Sequence, residues 1–259
     1  MMVLKTTSLF ILLLITQLSY AGSYESFMGN SIIVKQYDRY FDGYVAGIAY
    51  NFIRGDYRNK TTDVFNSATP PPLHQEQAAH LDAVDAFIGY GQQLNRLLYV
   101  GLRGGVQLYT ESNVDFYRSS PGELPDATLK DKYRARQSGY VDLIPGLVIE
   151  DRFMLYPLVG FSNTKYVYQG SILEAGKPAL EYRNELKWGK AYRFGLGAKF
   201  AFFKALSMDL KVIHQAPYHV TWPAVGALSA NDNPPQDPNK HSLQPNSNIL
   251  SIGFEGYIS

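Results

Sequence analysis

Two groups of side chains in this 259-residue chain have types and spacings from which chemistry could be built. The first is its histidines. His214 and the run His219-Val220-Thr221 put imidazoles near a hydroxyl, the pairing in which a base activates an oxygen nucleophile. Such a site also needs a group that orients the base, and none follows at a recognisable spacing. His74, His80 and His241 fall in or beside expected loops with no partner pattern, and His241-Ser242 is adjacent rather than spaced. No metal, phosphate-loop or dinucleotide motif occurs, so the sequence assigns no catalytic, cofactor-binding or metal-binding residue. The second group is ionic: Asp85, Arg103, Asp142, Arg193, Lys199, Asp209, Lys211 and Glu255. Each stands at an alternate position within an otherwise apolar stretch. Four acids and four bases are the balance a buried network needs, because an unpaired buried charge costs several kcal/mol (about 3–5).

The elements that must position these charges have a period of two. From Leu97 to Glu111, Leu98, Val100, Leu102, Val106 and Leu108 alternate with Tyr99, Gly101, Arg103, Gly105, Gln107 and Tyr109. From Tyr192 to Phe202, Phe194, Leu196, Ala198 and Phe200 alternate with Arg193, Gly195, Gly197 and Lys199. That pattern predicts β-strands with one bulky apolar face and one face of glycine mixed with charge. Strands are expected from Gly43 to about Phe52, His80–Tyr90, Leu97–Glu111, Arg134–Ile149, Phe153–Tyr168, Tyr192–Phe202, Leu206–Val212 and Asn248–Ile258. Polar, proline-rich stretches separate alternate pairs, including Thr69-Pro70-Pro71-Pro72, Gln169 to Leu186 and Pro217 to Asn246. Short turns such as Glu150-Asp151-Arg152 and Phe203-Lys204-Ala205 join the others.

Lys5, the apolar run Leu9 to Ile15 and Ser19-Tyr20-Ala21 read as a cleavable export signal over residues 1–21, too short to span a bilayer as a helix. Residues 22–42 have no clear period and are read as a periplasmic lead-in, with a short helix or part of a lumen plug as the alternatives; residues 43–259 form the strand domain. The 24 basic and 23 acidic residues nearly cancel, which argues against a nucleic-acid partner. The absence of cysteine excludes disulfide staples and a thiol-linked lipid.

Connections alternating long and short, with an even number of strands, are the signature of a barrel threaded through an outer membrane. The expected fold is therefore all-β, an eight-stranded antiparallel up-and-down transmembrane β-barrel with short periplasmic turns and long extracellular loops. A soluble barrel with its apolar face inward is the structural rival. Eight strands enclose only enough space for their own side chains, and the bulky face would overfill it. Tyr90, Phe153, Phe200 and Phe202 beside the short turns, with Phe52, Phe161 and Tyr192 near the long loops, suit two interfacial aromatic belts.

Leu98-Tyr99-Val100-Gly101-Leu102-Arg103-Gly104-Gly105 resembles the third strand of small eight-stranded outer-membrane barrels of the OmpA and opacity-protein type. Tyr192 to Phe200, with its turn into Leu206-Ser207-Met208-Asp209-Leu210-Lys211, is similar. The resemblance implies a bacterial outer-membrane location, with partners in membrane lipid, lipopolysaccharide and the barrel-insertion machinery. The chain departs from it by ending Gly256-Tyr257-Ile258-Ser259 rather than on an aromatic residue. Enzymes of this barrel class use histidine with serine near the outer rim, and His219-Val220-Thr221 is only faintly similar to the lipid A deacylase spacing. The expected function is a non-enzymatic surface protein without cofactor, whose loops meet host or matrix molecules or serve the envelope structurally. A lipid A-modifying enzyme and a narrow solute passage are the alternatives.

Overall fold

The computed structural model describes residues 39–63, 72–111, 113–119, 128–174, 176–225 and 239–258; the expected export signal and most of the lead-in lie outside them. Ten strands follow one another: β1 Gly43–Asp63, β2 Leu73–Gln93, β3 Leu98–Glu111, β4 Asn113–Ser119, β5 Thr128–Ile149, β6 Phe153–Leu173, β7 Leu180–Phe203, β8 Leu206–Pro217, β9 Val220–Trp222 and β10 Asn239–Ile258. β4 carries the line of β3 onward along β5, and β9 carries that of β8 along β10, so the ring has eight staves. It closes where β1 pairs antiparallel with β10, from Tyr44↔Ile258 to Asp63↔Asn239. Closure leaves no unpaired edge at belt level; beyond the belt Leu73–Leu81 of β2 pairs, among the described residues, with β1 alone. The connections at residues 94–97, 150–152 and 204–205 lie at one end, together with Gly43 and Ile258.

Polarity in the turn-side half follows from lumen volume. Leu102, Leu196 and Leu210 point outward, Leu196 with 70% of its surface exposed, while Arg103 and Asp209 lie inside at 2% and 1%. Rings mark both margins of the outer apolar belt. Tyr44 meets Tyr90 at 5.2 Å and Phe200 meets Phe202 at 5.3 Å on the turn side. Tyr50 meets Phe52 and Phe161 meets Tyr192, both at 4.9 Å, at the other margin.

The strands are far longer than the alternation predicts. β1, β2 and β6 have 21 residues, β5 has 22 and β7 has 24, where crossing a bilayer takes about 9–11. Much of the expected loop at Gln169 to Leu186, and of that at Pro217 to Asn246, is strand: β6 continues to Leu173, β7 begins at Leu180 and β10 at Asn239. The reason is physical. Beyond the belt the outward positions turn polar, at Arg54, Asp56, Arg58 and Lys60 on β1, while Ile53 and Tyr57 turn inward and are buried. The barrel there has the ordinary polarity of a protein in water, so the belt's periodic signal stops while the hydrogen-bond ladder continues.

Inside the belt, aromatic rings occupy the space above glycines. A Cβ on Gly105 would lie 2.6 Å from both Cζ and the hydroxyl of Tyr140. That ring cannot retreat, because its hydroxyl bonds Asp85 and its face carries the Arg193 guanidinium at 4.2 Å. Gly105→Ala is therefore expected to destabilise the barrel by about 1–3 kcal/mol through overpacking, although alanine suits a strand better than glycine. Urea titration in lipid vesicles would measure it; a neutral result would mean Tyr140 has room to move.

Candidate functional site: the charged lumen and its aromatic cap

All eight ionic residues singled out in the sequence are buried in the lumen. Five form one cluster. Arg103 donates from Nη1 to Asp209 Oδ2 at 2.9 Å and from Nη2 to Glu255 Oε1 at 2.6 Å. Lys199 Nζ donates to Glu255 Oε2 at 2.6 Å, and Lys211 Nζ to Asp209 Oδ2 at 3.4 Å. The Tyr156 hydroxyl donates to the other Asp209 oxygen, and that of Tyr257 to Glu255 Oε2 at 2.8 Å. A second unit is the fork of Arg193 on Asp142, with bonds of 2.9 and 3.2 Å. Asp85 forms no salt bridge among the described residues; it accepts from Tyr140 at 2.7 Å. Phe87 lies between two cations, Arg103 at 4.5 Å and Lys211 at 5.2 Å from its ring centre. Strands β2, β3, β5, β7, β8 and β10 each contribute to this layer, so it cross-braces the ring from within.

Beyond the belt the lumen is closed by a second layer that the sequence reading did not find. Trp222, Tyr133 and Tyr168 are buried and stack with centroids 5.2–5.7 Å apart. His241, expected in a loop, lies in β10 and inside the barrel, fully buried. The Tyr168 hydroxyl lies 3.0 Å from His241 Nε2 and donates to Asp131 Oδ1 at 2.9 Å; His241 Nδ1 is 3.7 Å from Asp131 Oδ2. Arg118 Nε donates to Asp131 at 3.1 Å. An acid, a histidine and a tyrosine in contact are chemically suggestive, but all three are sealed from solvent, and here they brace the cap. Their sequence signal is register: counting back in twos from Glu255 through Ser251 and Ser247 reaches His241 on the inward face. At the turn end Phe41 closes the lumen, edge-on to Tyr99 at 6.4 Å and Tyr257 at 6.2 Å. The last aromatic of the chain, Tyr257, thus points inward, and Ile258 is the outward residue.

The histidine–hydroxyl candidates do not converge. His214 lies on the outer wall with Nδ1 2.9 Å from Asn248 Oδ1. His219 Nδ1 approaches Ser242 at 3.5 Å rather than Thr221. Among the described residues neither forms an ion pair with a carboxylate, and no group of three or more acids, histidines or cysteines could hold a metal ion.

A closed ring with lipophilic side chains outside and ion pairs inside fits one solvent arrangement, with lipid around the belt and none within. The fold is an outer-membrane-type β-barrel. No protein-family model matches the chain, and no curated protein sequence does. Among solved structures, the outer membrane protease OmpT from Escherichia coli is 12% identical, over 86% of this chain and 99% of that one, with a TM-score of 0.48. The outer membrane protein OprG from Pseudomonas aeruginosa is 11% identical over 85% and 100%, with a TM-score of 0.46. Ail, the attachment invasion locus protein of Yersinia pestis, solved with the heparin analogue sucrose octasulfate, is 12% identical over 82% and 99%, with a TM-score of 0.34.

Proposed function

We propose that this protein is an exported, non-enzymatic surface protein of a Gram-negative outer membrane. On this reading its turn end lies in the periplasm, and its activity is recognition at the far end of the barrel rather than transport through it. The observation that carries the reading is the filled lumen. Ion pairs brace it at belt level, the Trp222–Tyr168–His241 layer caps it, and Phe41 closes the turn end. Eight strands leave no continuous water path once such side chains occupy the centre. Meanwhile most staves, of 20 to 24 residues in β1, β2, β5, β6, β7 and β10, run about ten residues past the length a bilayer needs. They make a stiff platform whose far ends, at Asp63, Ser119, Leu173 and Trp222, stand clear of the lipid. Loops held on a rigid scaffold are where recognition resides.

The test is display of the barrel in a bacterial host stripped of adhesins, scored for attachment to epithelial cells and immobilised matrix proteins. Attachment should rise several-fold and fall back when residues 226–238 or 120–127 are exchanged for a short Gly-Ser linker. A barrel that inserts normally and confers no attachment would sink the recognition role. Unit conductance steps in planar bilayers would replace it with a passage.

A further inference from the structure

We infer that the barrel beyond the belt takes an added β-strand: an extended, basic peptide segment of another protein docks along the seam between β2 and β4. The inference rests on the recognition reading above and gives it a kind of partner. On the belt side β2 pairs with β3 as far as Asp82↔Glu111, while beyond it β4 pairs with β5 only. Leu73–Leu81 of β2 and Asn113–Ser119 of β4 therefore flank a gap. Among the described residues no backbone ladder crosses it. The gap is built in. The β2–β3 register skips Thr110, and β5 carries Arg136 as an extra residue opposite β6 at the adjoining level. Bulges bend a strand and re-aim it, and here they part β4 from β2. Gln77 shows the opening: it continues the inward series Asp85, Ala83 and Leu81, yet it is exposed. By contrast β7 beyond Ala191, which outruns β8, is covered. There Tyr218 N donates to Lys190 O at 2.9 Å and Arg183 Nη2 to Pro223 O at 2.6 Å.

A strand edge presents N–H and C=O groups in a row, and its natural complement is another strand. Edges that proteins expose to water are commonly blunted with lysine or proline; neither occurs in 73–81 or 113–119. One side chain spans the seam: Gln75 Nε2 donates to the Tyr117 carbonyl at 2.7 Å, an acceptor that an incoming backbone N–H would use. Two buried oxygens of the seam strands, Gln75 Oε1 and Asp115 Oδ1, lack a donor among the described residues. They favour an occupant rich in N–H groups. The outward charges of the two edges are Glu76 and Asp115, both acids, whose partners Arg58 at 3.0 Å and Lys130 at 2.7 Å lie on the strands away from the seam. Lysine or arginine at alternate positions of the added strand would meet opposite charge on both sides. Its other face would meet Ala79 and Tyr109, which pack against the core, and suits small apolar residues. A second copy of this chain does not fit. Two barrels in one membrane are related by an axis along its normal, so strands tilted by about 40° would cross at about 80° instead of forming a ladder.

Amide hydrogen exchange of the full barrel in phosphatidylcholine vesicles reads the seam directly. Alternate amides of Leu73–Leu81 should exchange far faster than those of Val84–Tyr90, which have a strand on both sides. The probe is a synthetic peptide of about nine residues alternating lysine and valine, long enough to line the edge. The control is the same peptide N-methylated at alternate residues, which keeps the side chains and blocks one edge. The peptide at millimolar concentration should slow the fast amides of Leu73–Leu81 by about tenfold or more and leave Val84–Tyr90 unchanged. The N-methylated peptide should have no effect, and Glu76→Lys with Asp115→Lys should weaken the protection several-fold. Unchanged exchange with the peptide overturns the proposal. Equal protection by the N-methylated peptide does so too, since it would mark side-chain adsorption. Slow exchange at Leu73–Leu81 without peptide also overturns it, because the edge would already be paired. Attachment of displayed cells is measured separately, so a barrel that attaches but shows no protection loses the seam and keeps its recognition role.

Discussion

Glu255→Leu is expected to destabilise the folded barrel by about 3–5 kcal/mol, the cost of breaking a buried ion pair from one side. Glu255 accepts from Arg103, Lys199 and Tyr257 at 2.6, 2.6 and 2.8 Å. Arg103 keeps Asp209 when the carboxylate goes. Lys199 keeps only the Tyr257 hydroxyl at 3.3 Å and the faces of Tyr99, Tyr156 and Tyr257 at 5.7–5.9 Å, which cannot neutralise a buried ammonium. Removing both partners should therefore recover most of the loss: Lys199→Met with Glu255→Leu leaves the remaining charges balanced and should fall well short of the single variant. Equilibrium unfolding in urea, followed in vesicles, measures the cycle. A single-variant cost below about 1 kcal/mol would show that solvent screens the lumen, contrary to the buried network described above.

Leu196→Arg should cost about 2–4 kcal/mol, because Leu196 lies on the outer wall near mid-belt and an arginine there must be desolvated by hydrocarbon. Four outward positions of β7, Phe194 to Phe200, share that belt, and the first outward polar residue beyond Tyr192 is Lys190. The paired control is Asn163→Arg, one row beyond Phe161, where the expected cost is about 0–1 kcal/mol. The two variants add the same side chain to the same wall at two depths, so their difference isolates the lipid contribution. If Leu196→Arg were as well tolerated as Asn163→Arg, the outer wall would be in water, and a secreted ligand carrier would replace the membrane barrel.

The parts of the fold legible in sequence were those where solvent imposes contrast between the two faces of a strand. Leu98 to Leu108, apart from Gly104, and Phe194 to Phe202 show that contrast, and the turns at Glu150-Asp151-Arg152 and Lys204-Ala205 lie where the alternation breaks. Both Glu150 and Asp151 adopt positive φ, as a tight hairpin requires. Arg54 to Asp63, Leu180 to Ala191 and Asn239 to Ser247 were not legible. Outward residues there are polar and inward ones mix rings with amides, so neither face stands out, and the proline content of 245 and the flanking segments reads as loop. The same lack of contrast hid the cap: Tyr168, Trp222 and His241 come from β6, β9 and β10, and nothing local joins them.

Local alternation alone determined the class of barrel, the wall that carries bulky side chains, and which ionic residues occupy alternate positions opposite them. Tertiary structure alone decided which acid holds which base, because partners such as Arg103 and Glu255 are 152 positions apart in the chain and meet only when β1 closes on β10. It alone also decided how far the staves continue, since a hydrogen-bond ladder propagates from neighbour to neighbour whether or not the side chains alternate. The lumen's closure belongs to the same category: tyrosine over glycine is a match between strands, and a single strand cannot state it.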